Sequence, residues 1–184
     1  MDWIKSWMPT WQFAETHHLR SRASARALLD AAQAYRPDDD WLVGVAMALR
    51  EAPGRLAAAV GLPSTLAERP RFGKDDFLPL GRLGDEALAY GLVGKFWQPG
   101  YGLVKLADAQ AFQDFADPGI AKLLLGFEAR ADGDATRITT VSRLVCTDAA
   151  TRQRMAVYWG LIRPVSGLIR QRLLAQIRRD AEAV

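Results

Sequence analysis

The second half of this chain alternates apolar and polar residues with the period of a β-strand. From Glu86 to Trp97, the bulky Leu88, Tyr90, Leu92 and Phe96 alternate with Ala87, Ala89, Gly91, Val93 and Lys95, which predicts a strand with the bulkier set turned inward. Gln98-Pro99-Gly100 predicts a turn into a strand at Tyr101–Leu106, and Asp117-Pro118-Gly119 another into a strand at Ile120–Ala131. In the latter, Leu123, Leu125 and Phe127 face one way and Lys122, Glu128 and Arg130 the other. Ala131-Asp132-Gly133-Asp134 is a hairpin signal leading into a last strand, Thr136–Thr147. There Ile138, Thr140, Ser142, Leu144 and Cys146 share one face. Arg137, Thr139, Val141, Arg143 and Val145 share the other, and the two arginines mark it as the wet one, because an unpaired buried guanidinium is costly.

After Cys146 the period changes to that of a helix, with Met155, Trp159, Ile162, Ile169, Leu173 and Ile177 on a common stripe and Asp148 placed to cap it. Pro164, followed by Gly167, predicts a kink or break near Arg163. The first half is read less sharply. Trp11–Arg22 is a weakly amphipathic strand, with Phe13, Glu15, His17 and Leu19 on one face and Thr16, His18 and Arg20 on the other. Ser24 caps a helix over Ala25–Tyr35 whose buried side is Leu28, Leu29 and Ala32. A second helix is expected from near Asp40 to Pro53, a short turn at Arg55–Val60, and an irregular lid-like loop at Gly61–Asp76. Together these elements predict an α+β fold in which a curved antiparallel sheet wraps around a long C-terminal helix. One domain spans residues 1–184, with residues 1–10 as a tryptophan-rich arm.

Composition changes this picture little: 184 residues, 49% apolar and 24% charged, are ordinary for a globular domain with a sizeable core. The net charge of +3 is small but unevenly spread. Seven arginines against Asp180 and Glu182 place a net +5 on the last 34 residues. Such a helix can be a footprint for nucleic acid or an anionic membrane. Arginine stems also cover apolar surface while their heads stay in water, and the solvated face is the reading adopted, with no nucleic-acid partner expected. Cys146 is the only cysteine, so no intrachain disulfide is possible, and a cytoplasmic location is expected. No signal peptide is expected at Met1–Pro9, and no apolar stretch has the length of a membrane span, so no integral membrane contact is expected. Trp3, Trp7 and Trp11 are expected to fold their rings onto the domain or onto a second copy of the chain, which leaves a homodimer open.

Several runs together carry a family resemblance. Thr136-Arg137-Ile138-Thr139-Thr140-Val141-Ser142-Arg143-Leu144, then Thr147-Asp148-Ala149-Ala150, Tyr158-Trp159, Ile162-Arg163-Pro164 and Ser166-Gly167-Leu168-Ile169-Arg170, resemble the end of a bacterial family of uncharacterised START-like proteins. These belong to the SRPBCC, helix-grip or birch-pollen-allergen-like superfamily. Asp39-Asp40-Trp41-Leu42 and Asp117-Pro118-Gly119-Ile120-Ala121-Lys122 resemble the same family. Relatives often carry an acidic residue in the last strand where this chain has Val141. The resemblance implies a hydrophobic cavity between sheet and long helix, used elsewhere in the superfamily for lipid-like or polycyclic ligands and by some members for cyclisation or hydrolysis.

No motif names a reaction. His17 and His18 are adjacent, so on a strand their rings point to opposite faces and cannot share a metal. Asp38, Asp39 and Asp40 read as capping and solvated residues, and the glycines at 81–94 do not form a phosphate loop. Cys146 reads as a core residue. No catalytic residue, metal or cofactor is assigned. The candidate ligand-binding set is Tyr90, Phe96, Leu125, Phe127, Thr140 and Ser142 from the strands and Trp159 from the helix, because alternation aims three hydroxyls into an apolar interior where each must find a partner. A carrier of a small hydrophobic molecule is the leading expectation. The alternatives are a cyclase- or hydrolase-like enzyme with Tyr90 as acid or orienting group on a carbonyl-bearing substrate, and a protein or membrane-surface interaction module using the tryptophans and arginines.

Overall fold

The computed structural model describes residues 3–35, 76–98 and 100–183. In order these form α1 (Trp3–Trp7), β1 (Phe13–Ser21), α2 (Ala25–Ala34), β2 (Leu78–Leu83), β3 (Ala87–Gly94), α3 (Ala109–Asp114), β4 (Ala121–Asp132), β5 (Ala135–Cys146) and α4 (Ala149–Glu182). The fold is α+β. Its antiparallel sheet has the order β1-β5-β4-β3-β2, a meander of four strands to which β1 is added at the β5 edge. The expected helix from Asp40, the turn at Arg55–Val60, the carboxylates Asp38–Asp40 and all of the expected lid except Asp76 lie outside the described residues.

The strand periodicities translate into two buried layers. On one face α2 and α4 pack Leu28, Leu29, Leu173, Leu174 and Ile177 against Leu88, Leu125, Phe127 and Ile138. Nearer the start of α4, Met155 packs with Leu92, Phe96, Leu144 and Cys146. These are the sides assigned from alternation, and Ser24 caps α2 by accepting from Ala27 N at 3.2 Å.

The opposite face differs from expectation: instead of meeting water over its length, it carries a core of its own. Ile4, Met8, Leu80, Ala89, Val93, Phe112 and Leu124 are buried there beneath α1 and α3. Two glycines permit this close approach. A Cβ on Gly126 would sit 2.5 Å from Ile4 Cδ1, and one on Gly91 2.6 Å from the Phe112 ring. Trp3 and Trp7 pack edge to face at 5.9 Å in the same layer, so the N-terminal rings settle on this chain's own sheet. Arg143, expected on a wet face, is buried with its guanidinium 4.1 Å from the Trp11 ring centroid. A cation over an aromatic face tolerates burial that a bare charge does not. Lys122 is also buried, its ammonium donating to Gln113 O at 2.9 Å and Phe115 O at 3.2 Å, and burial pulls its pKa down. Arg137, at the hairpin end, does stay exposed.

Tyr101–Leu106 is not a strand. Tyr101 takes a φ of 58° and its N–H bonds Gln98 O at 3.0 Å, closing a turn that is tied to the end of β3 by Lys95 N to Tyr101 O at 2.7 Å and Val104 N to Val93 O at 2.9 Å. The break expected near Arg163 does not occur, because α4 runs unbroken through Pro164. Pro164 and Gly160 are both exposed, so the Gly160 carbonyl that loses its helical donor faces water rather than protein. The outward side of α4 carries Arg154 and Arg163 together with exposed Val157, Leu161, Val165 and Leu168.

Asp148 caps α4 as the sequence predicts. Its carboxylate accepts from Thr151 N and Thr151 Oγ1, both at 2.8 Å, and from Gly119 N at 2.6 Å, so it ties the helix to the turn before β4. The two backbone donors, more than any other contact, hold its pKa down at about 2. A carboxyl depressed in the folded state stabilises fully above its unfolded value and loses that contribution as pH falls through the folded one. Thermal denaturation of wild type and Asp148→Asn across pH 2–6 is therefore expected to give a stability gap at pH 6 that closes by about pH 2. A gap independent of pH would contradict the assignment.

Candidate functional site

Register places the candidate residues in two transverse rows on the face beneath α4. One row reads Glu15, Ser142, Leu125, Tyr90 across β1, β5, β4 and β3; the next reads His17, Thr140, Phe127, Leu88. Each row runs from an ionisable residue at the β1 edge, through a hydroxyl, to apolar side chains. The ionisable residues thus lie at the β1 end, while the far end of the first row carries the Tyr90 phenol.

The polar end is built with few degrees of freedom. His17 Nε2 lies 2.7 Å from Glu15 Oε1, and Ser166 of α4 donates its hydroxyl to Glu15 Oε2 at 3.0 Å. The Glu15 side chain is only 8% exposed. Gly167 lets the helix come down on this pair, since a Cβ there would be 3.1 Å from Glu15 Oε1 and 3.5 Å from His17 Cε1. One turn further along, Arg170 also points into this layer, unlike the exposed arginines of the same helix. Its Nε is buried without a hydrogen-bond partner. Burial pulls the guanidinium below its ordinary pKa, and the Glu15 charge opposes that shift. Across the strand from His17, Thr140 is 1% exposed and its Oγ1 also has no partner.

The residues assigned from sequence lie between the sheet and α4, Trp159 on the helix itself, but they form two groups. Tyr90, Leu125 and Phe127 belong to the cluster beneath α2 and the C-terminal half of α4, with Thr140 and Ser142 beside them in the rows. Phe96 and Trp159 lie in the cluster around Met155, where Trp159 meets Phe13 at 6.0 Å between ring centroids. Tyr90 is half-buried, and its phenol is pushed above the usual range by burial, with Arg82 opposing. It sits three strands from Glu15, roughly 14 Å at sheet spacing, too far for proton exchange with the Glu15–His17 pair. Cys146 is buried, and its thiol is pushed up to about 11 by burial, with Asp148 adding to the shift and Arg152 opposing it. A thiol raised in this way holds little thiolate at neutral pH.

Glu15, His17, Ser166 and Arg170 are absent from the ligand-binding set assigned from sequence, where His17 is weighed only as a metal ligand. The signal was present: alternation puts Glu15 and His17 between Phe13 and Leu19, and helical spacing puts Ser166 and Arg170 beside Ile162, Ile169 and Leu173. An ionisable residue on an apolar stripe is the informative exception.

No family model matches the chain, and no curated protein matches it. Among solved structures, the crystal structure of TTHA0849 from Thermus thermophilus aligns over 93% of this chain and 98% of its own, at 11% identity and a TM-score of 0.32. Among the described residues, no helix is long and apolar enough to cross a membrane.

Proposed function

We propose that this chain is a START-like, helix-grip protein that holds a small hydrophobic molecule between the sheet and α4. The long capped helix over an antiparallel sheet, and the family resemblance of the last strand and helix, support the fold reading. The observation that carries the function is the Thr140 hydroxyl: buried, without a partner, and set between an apolar row and an ionisable pair. A buried hydroxyl left unpaired costs about 1–3 kcal/mol, a cost that a bound acceptor removes. Tyr90, Leu125 and Phe127 would line the apolar part of the ligand, with Phe96 and Trp159 towards the Met155 end. The enzyme alternative would need a titratable partner within hydrogen-bond reach of the Tyr90 hydroxyl, a role the Glu15–His17 pair, three strands away, does not fill.

Native mass spectrometry of the purified protein is expected to give a low-mass adduct that disappears on denaturation. The fluorescent probe N-phenyl-1-naphthylamine should bind saturably, one per chain. Leu125→Trp, which fills the interior beneath α4, should abolish probe binding while the circular dichroism spectrum stays that of the wild type. Unchanged probe binding in this variant would mean that the probe sits elsewhere and would overturn the reading.

A further inference from the structure

We infer, resting on the binding reading above, that the ligand is anchored by a neutral hydrogen-bond acceptor, a carbonyl oxygen, placed between Arg170 and Thr140. The argument is a count of donors and charges. Both Glu15 oxygens are already engaged, Oε1 with His17 and Oε2 with Ser166. Thr140 and Arg170 are not: each has a polar atom buried with nothing to bond. The two belong to the same layer between the β1–β5 edge and α4. Thr140 is the cross-strand partner of His17, His17 packs beneath Gly167, and Arg170 is the next turn of the same helix. Arg170 can only donate and Thr140 can donate, so what they lack is an acceptor.

Charge then selects the kind of acceptor. Glu15, and after it Tyr35, act electrostatically on Arg170, and among the described residues no salt bridge joins Arg170 to Glu15. The guanidinium is balanced by a carboxylate that it does not touch. A second carboxylate brought in by the ligand would face Glu15 in a poorly hydrated layer, where like charges repel strongly. A carbonyl oxygen accepts from both donors and adds no charge. A hydroxyl could accept as well, but it would bring its own donor into a place that already has two. The rest of the ligand lies along Phe127 and Leu125, where the rows turn apolar.

Three probes with one apolar body separate these cases: 2-acetylnaphthalene, 2-ethylnaphthalene and 2-naphthoate, titrated by calorimetry into wild type, Arg170→Met and Thr140→Val. The readout is the ratio of ketone to hydrocarbon affinity, which cancels the effect of each variant on the apolar site. A hydrogen bond from a charged donor corresponds to roughly a 10- to 100-fold change. The ketone-to-hydrocarbon ratio is expected to fall about tenfold or more in Arg170→Met and by a smaller factor in Thr140→Val, with naphthoate the weakest of the three in wild type. A ratio unchanged in both variants overturns the carbonyl anchor while leaving apolar binding intact. Naphthoate binding tightest, and lost in Arg170→Met, overturns it in favour of an anionic head. Failure of all three probes to bind wild type, together with no adduct by native mass spectrometry, sinks the binding reading itself.

Discussion

Phe112→Ala is expected to lower the unfolding free energy by about 3–5 kcal/mol, measured by urea denaturation, the range found for truncating a buried phenylalanine. The ring is fully buried in the layer on the far side of the sheet from α4. It lies over Gly91, close enough that a Cβ there would collide with it. The volume of the lost ring cannot be filled by collapse of the strand, because β3 is fixed on both sides by pairing with β2 and β4. Lys122 adds to the cost. Its ammonium lies 5.0 Å from the Phe112 ring centroid and bonds carbonyls of the segment that carries the ring, so a displaced α3 would leave a buried cation without acceptors. A cost below about 1 kcal/mol would mean that the second layer packs loosely and contributes little to the fold.

That second layer is also where sequence and structure part. The inner face was legible because β3, β4 and β5 alternate bulky apolar residues with something else, and because α4 repeats its apolar stripe over many turns. The outer face was not, because its covering pieces are too short to have a period. Helix α1 has 5 residues and α3 has 6, each contributing one or two anchors such as Ile4 and Phe112. The strand residues beneath them are small, Ala87, Ala89, Gly91 and Gly126, which reads from sequence as the lesser side of an alternation. It is in fact the clearance that a covering helix requires. Arg143 misled for a related reason: charge alone does not report exposure when Trp11 from another segment supplies an aromatic face. At the candidate site the hydroxyls were legible from alternation in β5. Alternation also puts the ionisable pair on the correct face of β1, but its meaning depends on what α4 brings opposite. Only tertiary structure sets Ser166, Gly167 and Arg170 against Glu15.

Removing the Glu15 carboxylate tests whether that juxtaposition has energetic weight. Glu15→Ala is expected to cost on the order of 3 kcal/mol, because one truncation leaves several partners uncompensated. His17 Nε2 loses its contact at 2.7 Å, Ser166 its acceptor at 3.0 Å, and the Arg170 guanidinium the charge that offsets its burial. Glu15→Gln keeps an acceptor oxygen and the shape while removing the charge, so it isolates the last of these terms and should fall between wild type and Glu15→Ala. The decisive comparison is Glu15→Ala alone against Glu15→Ala with Arg170→Met. If the two residues are coupled through the buried layer, the double variant recovers part of the lost stability, because the stranded cation is gone while most of the arginine stem is retained as packing. Strict additivity of the two single effects would mean that Glu15 acts only through His17 and Ser166. Arg170 would then draw its compensation from solvent, and the polar end of the rows would be a structural tie between β1 and α4 rather than one poised to receive a ligand.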